Sequence, residues 1–233
     1  MSTYWQSHFN ERVDEVGETD FFRQVGKTFL GEPVPPSHLE RIVDDLQAQL
    51  ELDNDLRVLD LGCGNGLVTS RVAPRVRRIV GVDYAERLVH VARRHHGGPN
   101  VSYAHADVLS WSSDERFDAA YLYEVVQHIA PADLPRLASV LSAHLVNGAR
   151  ALLCGVPDRE RRWDYYDTPE KRSYAEAMDE AGTPHMGHWY TARELAAPFE
   201  AVGFRPTILP QDPSMHTAHY RFNLRLDQSR QSR

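Results

Sequence analysis

The chain has 233 residues, 42% of them hydrophobic and 25% charged, with 26 basic side chains against 33 acidic ones and a net charge of −7. That length suits one core with room for an insertion, since single cores stop growing near ~250–300 residues. The acidic balance argues against general nucleic-acid binding, which needs uncompensated Lys and Arg facing phosphates. Cys63 and Cys154, the only cysteines, are too few for a disulfide scaffold or a protein-only zinc cage, so no metal is expected. No stretch approaches the ~18 uncharged apolar residues of a bilayer span. The opening Met1-Ser-Thr-Tyr-Trp-Gln lacks the basic-then-apolar pattern of a secretory signal, and the cytoplasm is the expected compartment.

In chain order, residues 1–36 carry Tyr4, Trp5, Phe9, Phe21, Phe22 and Phe29 ahead of the break at Pro33-Val-Pro35-Pro36. They read as an N-terminal helical extension and a candidate lid. From residue 37 to 226 short apolar runs alternate with amphipathic ones, the pattern of an α/β domain with a parallel sheet. Strands are expected at Arg57–Leu61, Arg78–Val82, Val101–His105, Phe117–Tyr123, Ala149–Val156, Pro206–Leu209 and His219–Leu226. Helices are expected at Ser37–Leu50, Leu67–Ala73, Ala85–Arg94, Ala132–His144 and Thr191–Val202, the last opened by a Thr191/Glu194 capping box and closed by Gly203. The final strand alternates Tyr220, Phe222, Leu224 and Leu226 with His219, Arg221, Asn223 and Arg225, as a half-exposed antiparallel strand does. Residues 158–190, rich in Arg, Trp, Tyr and His, interrupt the pattern as an insertion, and 227–233 form a tail.

The most informative run is Val58-Leu-Asp-Leu-Gly-Cys-Gly-Asn-Gly66, a buried strand entering alternating glycines. Such a loop lets a ligand lie against bare backbone at a helix start. A dinucleotide fingerprint wants glycine five positions after Gly62, where Leu67 stands, and Asp60 at the loop mouth would repel a pyrophosphate while suiting an ammonium group. Asp83 ends the next strand, 21 residues after Gly62, where an acid accepts hydrogen bonds from ribose hydroxyls. Asp107 follows the third strand, placed to accept from an exocyclic amine. Three acids thus close three successive strands along one sheet edge.

On these residues the chain resembles the class I S-adenosylmethionine-dependent methyltransferases. The matching runs are Leu59–Gly66, Val80-Gly-Val-Asp83, Ala106-Asp107-Val108, Phe117–His128 and Leu145–Leu153, and the resemblance covers about 37–226. It implies a Rossmann-like, doubly wound, seven-stranded sheet with the last strand antiparallel, and S-adenosylmethionine as cofactor. It places Asp60, Gly62 and Gly64, with Cys63 between them, at the methionine part, Asp83 at the ribose, Asp107 and Val108 at the adenine, Tyr84 on its face, and the backbone near Tyr123 at the amino group.

Methyl transfer from an activated sulfonium rests on aligning the acceptor, and a base matters chiefly when that acceptor is a hydroxyl. His128, beyond the fourth strand, is the candidate base, with Glu124 as its rival. The 158–190 insertion is the candidate acceptor cap, offering Trp163, Tyr166, His185, His188 and Tyr190, with Tyr4 reaching in from the N-terminal extension. The expected activity is methylation of a hydroxyl, less readily an amine, on a small-molecule or glycan-like acceptor by a monomer or homodimer. Three readings stand beside it: an NAD-dependent oxidoreductase, a non-catalytic S-adenosylmethionine-binding subunit, and an RNA-modifying enzyme.

Overall fold

The computed structural model describes residues 3–183 and 185–228. Met1, Ser2, Pro184 within the insertion, and 229–233 of the expected tail lie outside the described residues. The strands of the main sheet are β1 (Arg57–Leu61), β2 (Arg78–Asp83), β3 (Val101–His105), β4 (Phe117–Tyr123), β5 (Leu145–Pro157), β6 (Phe204–Pro210) and β7 (Arg221–Gln228). Their order is β3-β2-β1-β4-β5-β7-β6, with β1 to β5 parallel to one another and β7 antiparallel to both β5 and β6. The order reverses between β1 and β4, and that switch point is where open α/β sheets form a ligand crevice.

Helices cover both faces. The helices are α1 (Thr3–Val16), α2 (Pro36–Leu50), α3 (Glu86–His95), α4 (Leu134–His144), α5 (Pro169–Glu180) and α6 (Ala192–Glu200), beside shorter turns. Leu39, Ile42 and Leu46 of α2 pack with Val58, Ile79 and Tyr121 on one face. Leu137 and Leu141 of α4 pack with Leu59, Leu122 and Phe199 of α6 on the other. Alternate residues of each central strand thus enter opposite layers, and apolar side chains on both faces are what a doubly covered parallel strand requires. The expected helix over 67–73 is shorter: a turn of α-helix spans Thr69–Val72 and Pro74 carries the chain into a tighter turn.

The last strand departs from its sequence pattern. Its alternation suggested a half-exposed strand, yet Arg221 and Asn223 are only 4% and 3% exposed. The reason is cover: Asp45 of α2 lies against Asn223 and Gln127 of the turn after β4 lies against Arg221, while β6 forms the sheet edge. Asn223 accepts the Gly155 N–H at 2.9 Å and donates to Asp45 at 3.2 Å, and so satisfies its amide inside the fold. Asp227 and Gln228, expected in the tail, extend β7. Among the described residues no helix is long and apolar enough to cross a membrane.

The two segments outside the repeating pattern fold over the carboxyl ends of the strands. Residues 3–34 form α1, a turn at Phe21–Gln24 and a small hairpin pairing Thr28–Phe29 with Glu32–Pro33. The insertion forms turns over 159–165 and then α5. The capping box opening α6 is complete, with Thr191 Oγ1 accepting the Glu194 N–H at 3.3 Å and Glu194 accepting the Thr191 N–H at 3.0 Å. Thr191→Ala is expected to lower stability by about 1 kcal/mol through the lost cap, read as a lower denaturant midpoint at unchanged slope.

Candidate functional site

The loop after β1 is held open by backbone geometry. Gly62 and Gly64 have φ of +85° and +54°, a region that favours glycine. At Gly62 the constraint is also steric, because a Cβ there would fall 2.3 Å from Val125 Cγ2. The N–H groups of Gly62 and Cys63 donate to Val82 O at 2.7 and 3.1 Å, which ties the loop to β2. Asp83, at the end of β2, completes the tie: its two oxygens accept the N–H groups of Gly64 and Ala85, each at 2.8 Å. Cys63 is buried, and burial pushes its thiol well above the usual range, so it fills space as an inert thiol.

Asp60 is 2% exposed, and its Oδ2 accepts hydroxyl hydrogen bonds from Thr69 at 2.6 Å and Tyr121 at 2.7 Å. Burial raises its carboxyl to about 7, outweighing both hydroxyls. Burial also raises Asp83 to about 6, against the pull of its backbone donors. Neither forms an ion pair among the described residues, so the floor of the site holds two carboxylates without a counter-charge.

The exit of β4 supplies the next wall. Glu124 adopts a left-handed φ of +57° and its Oε2 accepts from Lys27 Nζ at 2.6 Å. Burial would raise the Glu124 carboxyl, but Lys27 and Arg221 outweigh it and hold it at about 2. Lys27 Nζ also lies 4.1 Å from the centre of the Tyr123 ring. His128 ends a tight turn, Val126–His128, with its ring 4.3 Å from Trp5 and 5.3 Å from Phe9, centre to centre. Its Nδ1 is buried without a hydrogen-bond partner. Burial, aided by the Arg221 charge, pushes this imidazole down to about 3, so it is neutral at physiological pH.

These groups line one cavity of about 460 Å³, within the range of small-molecule and cofactor sites. Of the residues singled out in the sequence, the cavity brings together Asp60, Gly62, Cys63, Gly64, Asp83, Tyr84, Tyr123, Glu124 and His128, with Tyr4 and His185 at its walls. Tyr84 is buried with its hydroxyl unpartnered, and burial with the charges of Asp83 and Asp107 pushes that hydroxyl up.

Other expected site residues sit elsewhere. Asp107 Oδ1 accepts the Leu109 N–H at 2.9 Å, and the residue is not part of the cavity lining, although its charge reaches the Tyr84 hydroxyl. Val108 is core. Tyr190, expected to touch the acceptor, is fully buried and donates its hydroxyl to Ile129 O, because its segment pairs with Asp158. Trp163 stands 42% exposed on the surface. His188 is anchored through its backbone N–H, which donates to Gln127 O at 2.7 Å, and its ring lies outside the lining. Tyr166 lines a second, adjoining cavity of about 620 Å³, where its hydroxyl is 3.4 Å from His185 Nδ1.

Sequence reasoning missed Gln24, Lys27, Asn65, Gln127 and Arg221. Asn65 Nδ2 donates to Phe21 O and Gln24 Oε1, both at 2.8 Å, which binds the glycine loop to the N-terminal segment. Arg221 Nη1 donates to Gln127 Oε1 at 2.7 Å and to Gly155 O. None of the five carries a spacing signature, and the alternation of the last strand put Arg221 among its polar, outward positions.

Residues 58–148 match the family model described as "Methyltransferase domain". The ubiquinone biosynthesis O-methyltransferase of Cereibacter sphaeroides is 35% identical over 212 residues, covering 73% of this chain and 85% of that protein. Its counterpart in Roseobacter denitrificans is 25% identical with the same coverage of each. Among solved structures, magnesium protoporphyrin IX methyltransferase (ChlM) from Synechocystis PCC 6803 with bound S-adenosylhomocysteine superposes with a TM-score of 0.65 at 17% identity, over 97% of this chain and 99% of that one. N-methyltransferase NodS from Bradyrhizobium japonicum gives 0.59 at 17% identity, over 83% and 88%.

The fold and the glycine loop define an enzyme of the Rossmann-like methyltransferase class. The chain belongs to the class I S-adenosylmethionine-dependent methyltransferases, and the oxidoreductase alternative falls with that assignment. The cavity fits the cofactor: a glycine cradle, uncompensated carboxylates toward a cationic ligand, and an orphaned Tyr84 hydroxyl lie along it.

Asp60 gives this site a pH signature. With a carboxyl near 7 folded against 3.8 unfolded, the native state holds the extra proton. The stability this confers is complete below the unfolded value and is lost as pH rises through the folded one. Between pH 4 and 7 the unligated protein is expected to lose on the order of 2–4 kcal/mol to this group. Denaturant midpoints across that range check it: Asp60→Asn flattens the slope.

Proposed function

We propose that this chain methylates a hydroxyl oxygen of a small-molecule acceptor, with His128 taking the proton. The observation that carries this reading is the His128 Nδ1, buried, unpartnered and in the wall of the cofactor cavity beside Tyr123 and Glu124. The cofactor supplies an electrophilic methyl carbon when bound. An acceptor hydroxyl becomes strongly acidic as its oxygen gains the methyl group, so even a weakly basic imidazole can take its proton, provided it is neutral and within reach. His128 is kept neutral by burial beneath Trp5 and Phe9. Glu124, held ionised by Lys27 and Arg221, is the weaker candidate because its charge is committed to those cations. The relatives named as O-methyltransferases of ubiquinone biosynthesis support oxygen over nitrogen and a small acceptor over a glycan.

Within this reading Asp83 receives the ribose hydroxyls and Asp60 faces the ammonium end of the cofactor. Support comes from their place at the carboxyl ends of β2 and β1. A cationic ligand beside Asp60 also relieves a buried carboxylate without a counter-charge. The α1 helix serves as cover, its Gln6 Nε2 donating to Tyr84 O at 3.0 Å.

Two measurements test the proposal. His128→Ala is expected to lower turnover on a hydroxyl acceptor about 10²–10⁴-fold with S-adenosylmethionine affinity retained; a loss under tenfold removes His128 as the base. Asp83→Ala is expected to weaken calorimetric binding of S-adenosylhomocysteine by about 1–3 kcal/mol, since buried donors lose their partner. Unchanged affinity would remove Asp83 from the ribose.

A further inference from the structure

The cofactor cavity and the second cavity share a wall, and that wall is charged. Lys27, Glu124 and Arg221 line both spaces, whereas Gly62, Gly64 and Asp83 line the first alone. Lys27 and Arg221 are 7% and 4% exposed. Glu124 is the carboxylate that faces both of them, so two buried cations share one anion. Lys27 has its ion pair at 2.6 Å. The Arg221 guanidinium turns Nη1 to neutral oxygens of Gln127 and Gly155, and its Nε is buried without a partner among the described residues. The Tyr123 hydroxyl beside them is likewise buried and unpartnered. Orphaned donors around an excess buried positive charge carry a large desolvation cost that a bound anion would offset.

The second cavity has a fitting shape. It is walled by Phe29, Tyr165, Tyr166 and Tyr220, with the His38 and His216 rings 5.3 Å apart and tilted by 36°. Asp164 and Asp167 also line it, and Asp167 is neutralised by Lys171 at 2.6 Å. Flat aromatic walls take a ring-bearing or otherwise flat ligand.

We propose that the second cavity is the acceptor chamber, and that the acceptor carries an oxyanion, a carboxylate or a phosphate, seated on Arg221 and Lys27 where the two cavities meet. This rests on the methyl-transfer reading of the first cavity. An anion at that junction lies on the side away from the glycine loop, with the acceptor body among the aromatic walls and its hydroxyl end toward His128. The site thus selects acidic acceptors over their neutral analogues.

The test is calorimetric titration of the full chain, saturated with S-adenosylhomocysteine, with benzoate, phenyl phosphate and neutral benzamide. At least one anion is expected to bind about tenfold or more tightly than benzamide, the scale of one charge-assisted hydrogen bond; which one does so separates carboxylate from phosphate. Lys27→Met and Arg221→Gln should each erase that preference and Arg221→Lys should keep it, with S-adenosylhomocysteine saturation of each variant confirmed by direct titration. Lys27→Met keeps the test decisive if loss of the buried Arg221 unfolds the chain. Equal binding of benzamide and both anions overturns the proposal, as does a preference that survives both substitutions. Parallel loss of S-adenosylhomocysteine binding also overturns it, because the cations would then serve the cofactor. Failure of the wild-type chain to methylate any hydroxyl would defeat the function above while leaving these affinities readable.

Discussion

The site depends on one carboxylate doing two backbone jobs. Asp83 accepts the N–H of Gly64 with one oxygen and of Ala85 with the other, both at 2.8 Å, and so clamps the loop leaving β1 to the start of the helix after β2. Without that clamp, three glycines at positive φ would have little to hold them, since glycine loses more freedom on ordering than any other residue. Val125 fills the space over Gly62, so the loop is pinned from the β4 side as well. The floor of the cavity is therefore a consequence of the switch point: β1, β2 and β4 end together there because of the strand order.

The roof comes from elsewhere in the chain and is tied down by polar contacts that span long sequence distances. Asn65 reaches Phe21 O and Gln24, Lys27 reaches Glu124, and Arg221 reaches Gln127. A buried ion pair is weak evidence for stability, because desolvation consumes most of its Coulombic gain. Here two cations face one carboxylate, which is less favourable still. Such an arrangement makes sense as a binding feature kept at the expense of stability, whereas the helices on either face of the sheet account for the core on apolar contacts alone.

What could be read in the sequence followed from periodicity and local chemistry. The strands with continuous apolar runs, the capping box at Thr191 and the glycine loop announce themselves within a few residues. The seven-stranded sheet followed from the resemblance those residues carry, and its antiparallel last strand from that resemblance and from the alternation over 219–226. The burial of β7 was not legible, because alternation reports that a strand has two unlike faces and not what lies over each. Arg221 read as an outward-facing charge and is an inward-facing one. Tyr190 and Trp163 read alike as aromatic cap residues, yet one is core and the other surface; composition cannot say which way a ring in an irregular segment turns. Lys27 meets Glu124 across 97 residues and Arg221 meets Gln127 across 94, distances at which no motif operates.

The N-terminal segment is then part of the reactive end, not an appendage to it. A histidine exposed to water at the end of β4 would titrate near its ordinary value and would be partly charged at neutral pH. Trp5 and Phe9 of α1, packed on His128, displace that water and remove the charge. The same segment delivers Lys27 to the junction of the two cavities. One stretch of chain thus sets the protonation of the imidazole on one side and contributes a cation on the other. The 158–190 insertion contributes the far wall through Tyr174, Met178 and His185. Specificity in this fold therefore rests on two segments closing over one sheet edge. On the proposed reading the chemistry needs both, because an anionic acceptor would meet a dry His128 and the Arg221 charge in the same bound pose.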